Sequence, residues 1–178
     1  MEKARLFIAV DIPDEIREKI YRVCNDIGNV RWTKQEQLHL TLRFIGDVDV
    51  ETLPQLSESL GKLKFRKFNL TLSGTGFFRP GVFFLETVES AELLSLKKQI
   101  DDILHNTLEL EPEARSFIPH ITLARFKNRP SAGKCRSLTE AFEPLFPLDF
   151  KVEEFVIYRS RLSSEGAVHT PLKKITTP

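Results

Sequence analysis

The chain has few cysteines and no long hydrophobic run. Its 178 residues include only Cys24 and Cys135, too few for the disulfide framework of a small secreted domain. Nowhere do 18 apolar residues follow one another, so no segment resembles a membrane-spanning helix. The apolar run Leu6 to Val10 is too short for a secretion signal. These absences predict a cytoplasmic protein without membrane contact.

An excess of one charge is also lacking. The 26 Lys and Arg residues are balanced by 25 Asp and Glu residues, which argues against a protein that coats nucleic acid by charge alone. A hydrophobic fraction of 41% is ordinary for a globular protein. The length suits one domain with a substantial core, so we expect residues 1–178 to form a single domain.

What the chain does contain is a short motif that occurs twice. HLTLRF at 39–44 returns as HITLARF at 120–126. A strand alternates its side chains between two faces, so each copy places His and Thr on one face and aliphatic residues on the other. In the first copy, strict alternation also places Arg43 beside His39 and Thr41. It places Phe44 on the opposite, apolar face, which we expect to join the core. Histidine titrates near neutral pH, and two facing imidazoles would make an acid and base pair.

A third match, HNTL at 105–108, is a decoy. It closes a stretch from Leu93 to Leu108 whose apolar residues recur every three or four positions, as in a helix. Residues two apart on a helix point roughly 200° apart, so His105 and Thr107 cannot share a site. His169 has no Thr two residues later. We therefore assign neither His105 nor His169 to the site.

The order of predicted elements repeats along the chain. Each half reads as strand, helix, His strand, helix and strand, over residues 5–73 and 82–158. The last of these strands is predicted from Leu148 to Ile157, and beyond Leu162 we expect a loop followed by a short strand. We expect segments 74–76 and 79–81, which are rich in Gly and Pro, to be the hinge between two lobes. The predicted fold is α+β and bilobal. Two antiparallel sheets, related by a pseudo-twofold axis, would carry helices on the outside and a cleft between them.

One copy of the motif alone could be the solvated face of an antiparallel sheet. Its recurrence at equivalent places favours a shared site instead. Two imidazoles can move protons during displacement at phosphorus, Thr hydroxyls can donate to phosphoryl oxygens, and arginine binds phosphate in a bidentate manner. The alternative, a zinc site at His39 and His120, lacks a third ligand on either strand. We therefore expect no metal and no cofactor.

With the N-terminal FIAVD strand and the two His-x-Thr motifs, the chain resembles the two-histidine phosphoesterase superfamily, and within it the RNA 2′,3′-cyclic phosphodiesterases of the 2′-5′ RNA ligase family. The resemblance implies that His39 is the proton donor to the leaving group and His120 the proton acceptor from water. It implies phosphate contacts for Thr41 and Thr122, and substrate binding by Arg125. Arg43, which alternation places beside His39, is a second candidate for substrate binding. Strict alternation places Arg125 on the strand face opposite to His120, so substrate binding by Arg125 requires a bulge near Ala124.

The implied reaction opens a ribose 2′,3′-cyclic phosphate at an RNA end to a 2′-phosphate, and we expect the RNA to be of tRNA origin. The expected partner is therefore RNA, and we expect the protein to act as a monomer. Three alternatives stay open: joining of RNA ends by a 2′-5′ bond, hydrolysis of a small cyclic nucleotide such as ADP-ribose cyclic phosphate, and a non-catalytic module that binds RNA ends. Phe7, Phe77 and Phe117 are candidates for stacking on a base, although most of the 14 Phe residues belong in the core.

Overall fold

Four α-helices and eight β-strands make up the computed structural model, which describes residues 2–164 and 166–177. The helices are α1 (Asp14–Asn25), α2 (Leu53–Gly61), α3 (Ala91–Leu108) and α4 (Ala132–Phe142). The strands are β1 (Lys3–Asp11), β2 (His39–Asp49), β3 (Phe68–Phe78), β4 (Val82–Thr87), β5 (His120–Arg125), β6 (Leu148–Val152), β7 (Glu154–Ser163) and β8 (Gly166–Thr176). The α+β class is therefore as the sequence predicts.

The strands form one antiparallel sheet in the order β6-β3-β4-β5-β2-β1-β7-β8, where we expected two. The reason is a direct link between the two His strands, since Leu40 of β2 pairs with Ile121 of β5. Only Glu153 separates β6 from β7, although β6 lies at one edge of the sheet and β7 lies beside β1. The sheet must curl for the chain to make this step.

The core lies on one face of the sheet, where the helices pack. Leu6, Ile8 and Val10 of β1 join it, together with Ile16 and Ile20 of α1. The other face of β1 is also covered, because Phe7 and Ala9 pack against Val156 and Tyr158 in a second, small cluster. Burial on both faces explains why β1 is apolar along most of its length.

Residues 74–76, expected to be a hinge, lie inside β3 instead. Gly74 pairs with Glu86 and Gly76 with Phe84 of β4. A Cβ atom at Gly76 would lie 2.4 Å from the ring of Phe84. The glycine is thus required for the close approach of an aromatic ring rather than for a bend. The segment 79–81 is the turn of the β3–β4 hairpin.

In the part of the chain that the structure describes, no helix is both long enough and apolar enough to cross a membrane.

Candidate active site

A pocket of about 410 Å³ opens on the sheet face opposite the main core. His39 and Thr41 of β2 line one side, and His120 and Thr122 of β5 line the other. Their neighbours Leu40, Ile121 and Leu123 are buried in the core, as alternation requires. The structure thus brings the four residues of the two motifs into one cavity.

The two histidines are held in the same way. Nδ1 of His39 lies 2.7 Å from the carbonyl oxygen of Gln37, and Nδ1 of His120 lies 2.7 Å from that of Ile118. A carbonyl oxygen only accepts, so in each ring Nδ1 carries the hydrogen and donates it. In the neutral form of each ring, Nε2 is therefore the basic nitrogen.

Burial makes both imidazoles harder to protonate. The pKa of His39 is lowered to about 4, first by burial and then by the positive charges that His169, His120 and Arg17 can carry. Burial, followed by the charge of Arg125, also lowers the pKa of His120. Without an anion in the pocket, His39 is therefore neutral at pH 7.

Aromatic rings pack around each histidine. Phe7 lies 5.0 Å from His39, measured between ring centroids. Phe78 and Phe84 lie 4.9 and 5.3 Å from His120, and both meet it edge to face. These rings restrict the orientation of the imidazoles and keep water away from their sides.

A β-bulge in each His strand decides which later residues reach the pocket. The pairing of β4 with β5 shifts between Phe83 and Phe84, so Ala124 is buried and Arg125 faces the pocket. This is the bulge that a phosphate-binding Arg125 requires.

The bulge in β2 has the same effect but on different side chains. The pairing of β1 with β2 shifts between Ile8 and Ala9, so Leu42 and Arg43 are both buried. Phe44 then lines the pocket and is 63% exposed. Strict alternation was wrong for both residues: Arg43 does not share the face of His39, and Phe44 does not join the core.

Arg43 is 3% exposed and lies in an ion-pair cluster on the helix side of the sheet. It donates to the carbonyl oxygen of Glu111, and its guanidinium lies 3.6 Å from the carboxylates of Asp101 and Glu113. Lys97 binds the same two carboxylates at 2.8 and 3.1 Å. Arg43 therefore ties β2 to α3 and to the segment after it, which corrects its expected place in the substrate site.

Replacing Arg43 tests this structural assignment. Arg43→Met should lower the free energy of unfolding by about 3 kcal/mol, because it removes one member of a buried ionic cluster. Urea denaturation measures the loss. Turnover of a mononucleotide substrate, per folded molecule, should stay unchanged. Lys62→Met removes an exposed pair with Glu58 and serves as the control, which should leave the stability almost unchanged. A large loss of turnover with unchanged stability would return Arg43 to the site.

The histidine rejected for lack of a Thr partner is part of the pocket. His169 of β8 lines it and lies 5.2 Å from His39, edge to face. The pairing of Ser160 with His169 places it there. The sequence around His169 contains no recognisable motif, because only the pairing of β8 with β7 brings this residue to the site. His105 is exposed on α3 and does not line the pocket, as the helical spacing predicts.

The three candidate stacking residues separate in the structure. Phe7 lines the pocket but is only 2% exposed. Phe77 packs against Phe83, 4.7 Å away between centroids. Phe117 lines a neighbouring groove instead. The exposed ring in the pocket is that of Phe44, which the sequence reasoning assigned to the core.

The charge of the pocket suits an anion. Arg5 and Arg125 line it together with the three histidines, and among its described lining residues there is no Asp or Glu. Within residues 2–164 and 166–177, no group of three or more His, Cys, Asp or Glu side chains is placed to hold a metal ion.

Two His-x-Thr strands that face one cationic pocket on an antiparallel sheet define a two-histidine phosphoesterase. The family pattern that matches, over residues 13–163, is that of the 2′-5′ RNA ligase superfamily. The chain belongs to this superfamily.

Named relatives match along nearly the whole chain. It is 29% identical to the RNA 2′,3′-cyclic phosphodiesterase of Thermotoga maritima, over 94% of this chain and 92% of the relative. It is 32% identical to the protein of that name from Escherichia coli, over 97% and 96%. The crystal structure of E. coli LigT complexed with 3′-AMP superimposes with a TM-score of 0.79 at 28% identity and covers 99% of both chains.

Proposed function

We propose that this protein hydrolyses RNA 2′,3′-cyclic phosphate ends to 2′-phosphates, with His39 and His120 as acid and base. The observation that carries the proposal is the matched pair of imidazoles in one pocket, each donating from Nδ1 to a backbone carbonyl. The relatives named for this activity cover almost the entire chain. The roles of the individual residues are our proposal.

The proton transfers balance over the two rings. Water loses a proton to Nε2 of neutral His120 while its oxygen attacks phosphorus. The bond from phosphorus to the ribose 3′ oxygen breaks, and Nε2 of protonated His39 gives that oxygen a proton. His39 ends neutral and His120 ends protonated, so exchange with solvent restores the starting state.

Charge that develops on the phosphoryl oxygens needs donors. The hydroxyls of Thr41 and Thr122 enter the pocket from opposite sides, where preorganised donors stabilise a transition state strongly. Arg125 adds a guanidinium on the His120 side. Arg5 adds positive charge from β1.

The low pKa of His39 implies that anion binding is coupled to proton uptake. A bound anion favours the charged imidazole, so it raises the pKa of His39 from about 4. Affinity for sulfate, which does not titrate in this range, should therefore rise as the pH falls from 7 to 5. Calorimetry in buffers of different ionisation enthalpy measures the protons taken up. His39→Asn should weaken the pH dependence, and the remainder would come from His120 and His169, whose pKa values burial also lowers. An affinity that is flat with pH in the native protein would contradict the coupling.

Hydrolysis of a short RNA with a 2′,3′-cyclic phosphate end tests the function itself. We expect a 2′-phosphate product and full activity after exhaustive chelation with EDTA, because the imidazoles and hydroxyls carry out the steps assigned to them. Loss of activity with EDTA that zinc restores would favour the metal alternative. Tight binding of the RNA end without turnover would favour the non-catalytic module.

We also propose that residues 5–73 and 82–158 derive from an internal duplication, with a pseudo-twofold relation between the two His strands. The matched Nδ1 contacts and the matched bulges of β2 and β5 support it. The repeats do not coincide with separate sheet halves, because β3 pairs with β4 and β7 pairs with β1. A tRNA origin of the substrate and a monomeric state stay predictions.

A further inference from the structure

A second cavity adjoins the active-site pocket and is larger, at about 890 Å³. Thr41, Phe44 and His120 line both cavities. The second cavity, which we name the Phe44 groove, is thus continuous with the reacting centre. Its wall on the far side comes from the segment between α3 and β5.

The Phe44 groove combines exposed apolar surface with positive charge. Phe44 is 63% and Ile118 54% exposed, and the rings of Phe78 and Phe117 also line the groove. Single exposed apolar residues are ordinary on a protein surface. Here they lie together, next to the residues that the Phe44 groove shares with the active-site pocket.

Two arginines supply the charge of the Phe44 groove. Arg79 and Arg115 are exposed and line it. Glu113 also lines it, but its carboxylate is bound by Lys97 at 3.1 Å and lies 3.6 Å from Arg43. The arginines therefore dominate the field, which suits an occupant with both a planar apolar part and a negative charge.

We propose that the Phe44 groove binds the nucleotide that precedes the cyclic-phosphate end of a single-stranded RNA. Its base packs against Phe44 and Ile118, and its phosphodiester pairs with Arg79 or Arg115. Aromatic rings interleaved with arginines are the general means of binding unpaired nucleotides. The inference rests on the proposed function, because it assumes that the terminal nucleotide occupies the active-site pocket.

Comparing a mononucleotide with a dinucleotide substrate tests this inference. The mononucleotide is 2′,3′-cyclic AMP, and the dinucleotide ApA carries the same cyclic phosphate at its 3′ end. In the Arg79→Ala/Arg115→Ala variant, we expect kcat/KM for the dinucleotide to fall about 10- to 100-fold, mainly through KM, as for the loss of charge-assisted phosphate contacts. Turnover of 2′,3′-cyclic AMP should stay within about twofold, since neither arginine lines the pocket.

Arg136→Ala is the matched control, because Arg136 is exposed on α4 and lines neither cavity. It should leave both substrates unaffected. Equal losses on the two substrates, or no loss on the dinucleotide, would overturn the proposal. No loss on the dinucleotide would favour a protein partner as the occupant of the groove.

A binding measurement separates this proposal from the proposed function. Fluorescence anisotropy with a 5′-labelled RNA tetramer that ends in a 2′-phosphate needs no turnover. The double arginine variant should bind it at least tenfold more weakly and with a shallower salt dependence. If the native protein hydrolyses neither substrate, the proposed function fails. Anisotropy then still tests whether the Phe44 groove binds RNA, because an unchanged RNA affinity in the variant would overturn the groove proposal.

Discussion

Replacing His39 or His120 with Ala should lower turnover of a cyclic-ended RNA by about 10² to 10⁴, the usual effect of losing a general acid or base. Both variants should fold, because the two rings line a pocket and are not part of the main core. The double variant should be hardly slower than the slower single variant, since the two groups act in one step. Steady-state kinetics with a thermal melt of each variant measures both effects.

The chain supplies its own control for these variants. His105 also begins a His-x-Thr sequence, but it is exposed on α3. His105→Ala should keep native turnover. If His39→Ala or His120→Ala also kept it, the acid and base pair would be wrong.

A change of leaving group distinguishes the two roles. On a nucleotide phosphodiester whose leaving group is p-nitrophenol, departure needs little help from a proton donor. His39→Ala should then cost far less than it does on RNA, whereas His120→Ala should cost about as much. The opposite pattern would exchange the assignments of donor and acceptor.

The sequence predicted the site better than it predicted the sheet. Alternation in HLTL and HITL was enough to place His39, Thr41, His120 and Thr122 on one face. The next residue along each strand could not be placed, because a bulge depends on the register with the neighbouring strand. Phe44 and Arg43 therefore exchanged faces relative to the prediction. Aligning HLTLRF with HITLARF would have put Phe44 at the position of Arg125.

The strands of the C-terminal region show a second limit of prediction from the sequence. One strand was predicted from Leu148 to Ile157, but Glu153 divides it into β6 and β7, which lie in different parts of the sheet. The strand β8 is longer than the short segment expected, and most of its side chains are exposed. An edge strand with an exposed surface leaves little hydrophobic signal in the sequence. His169 was set aside because it begins no His-x-Thr motif, and this weak signal did not show that β8 pairs with β7 beside the site.

Loss of a single threonine hydroxyl should also have a large effect. Thr41→Val and Thr122→Val keep the shape and the preference for β-strands but remove the donor that we assign to a phosphoryl oxygen. Each should lower kcat by about 10² to 10³, as observed when one donor to a developing oxyanion is lost. KM should change much less, because the interaction strengthens as charge develops in the transition state. Thr41→Ser and Thr122→Ser retain the hydroxyl and should recover most of the rate. Thr107→Val, in the decoy sequence on α3, should leave the kinetics unchanged. A Val variant that raised KM alone would show that its threonine binds the ground state and does not stabilise the transition state.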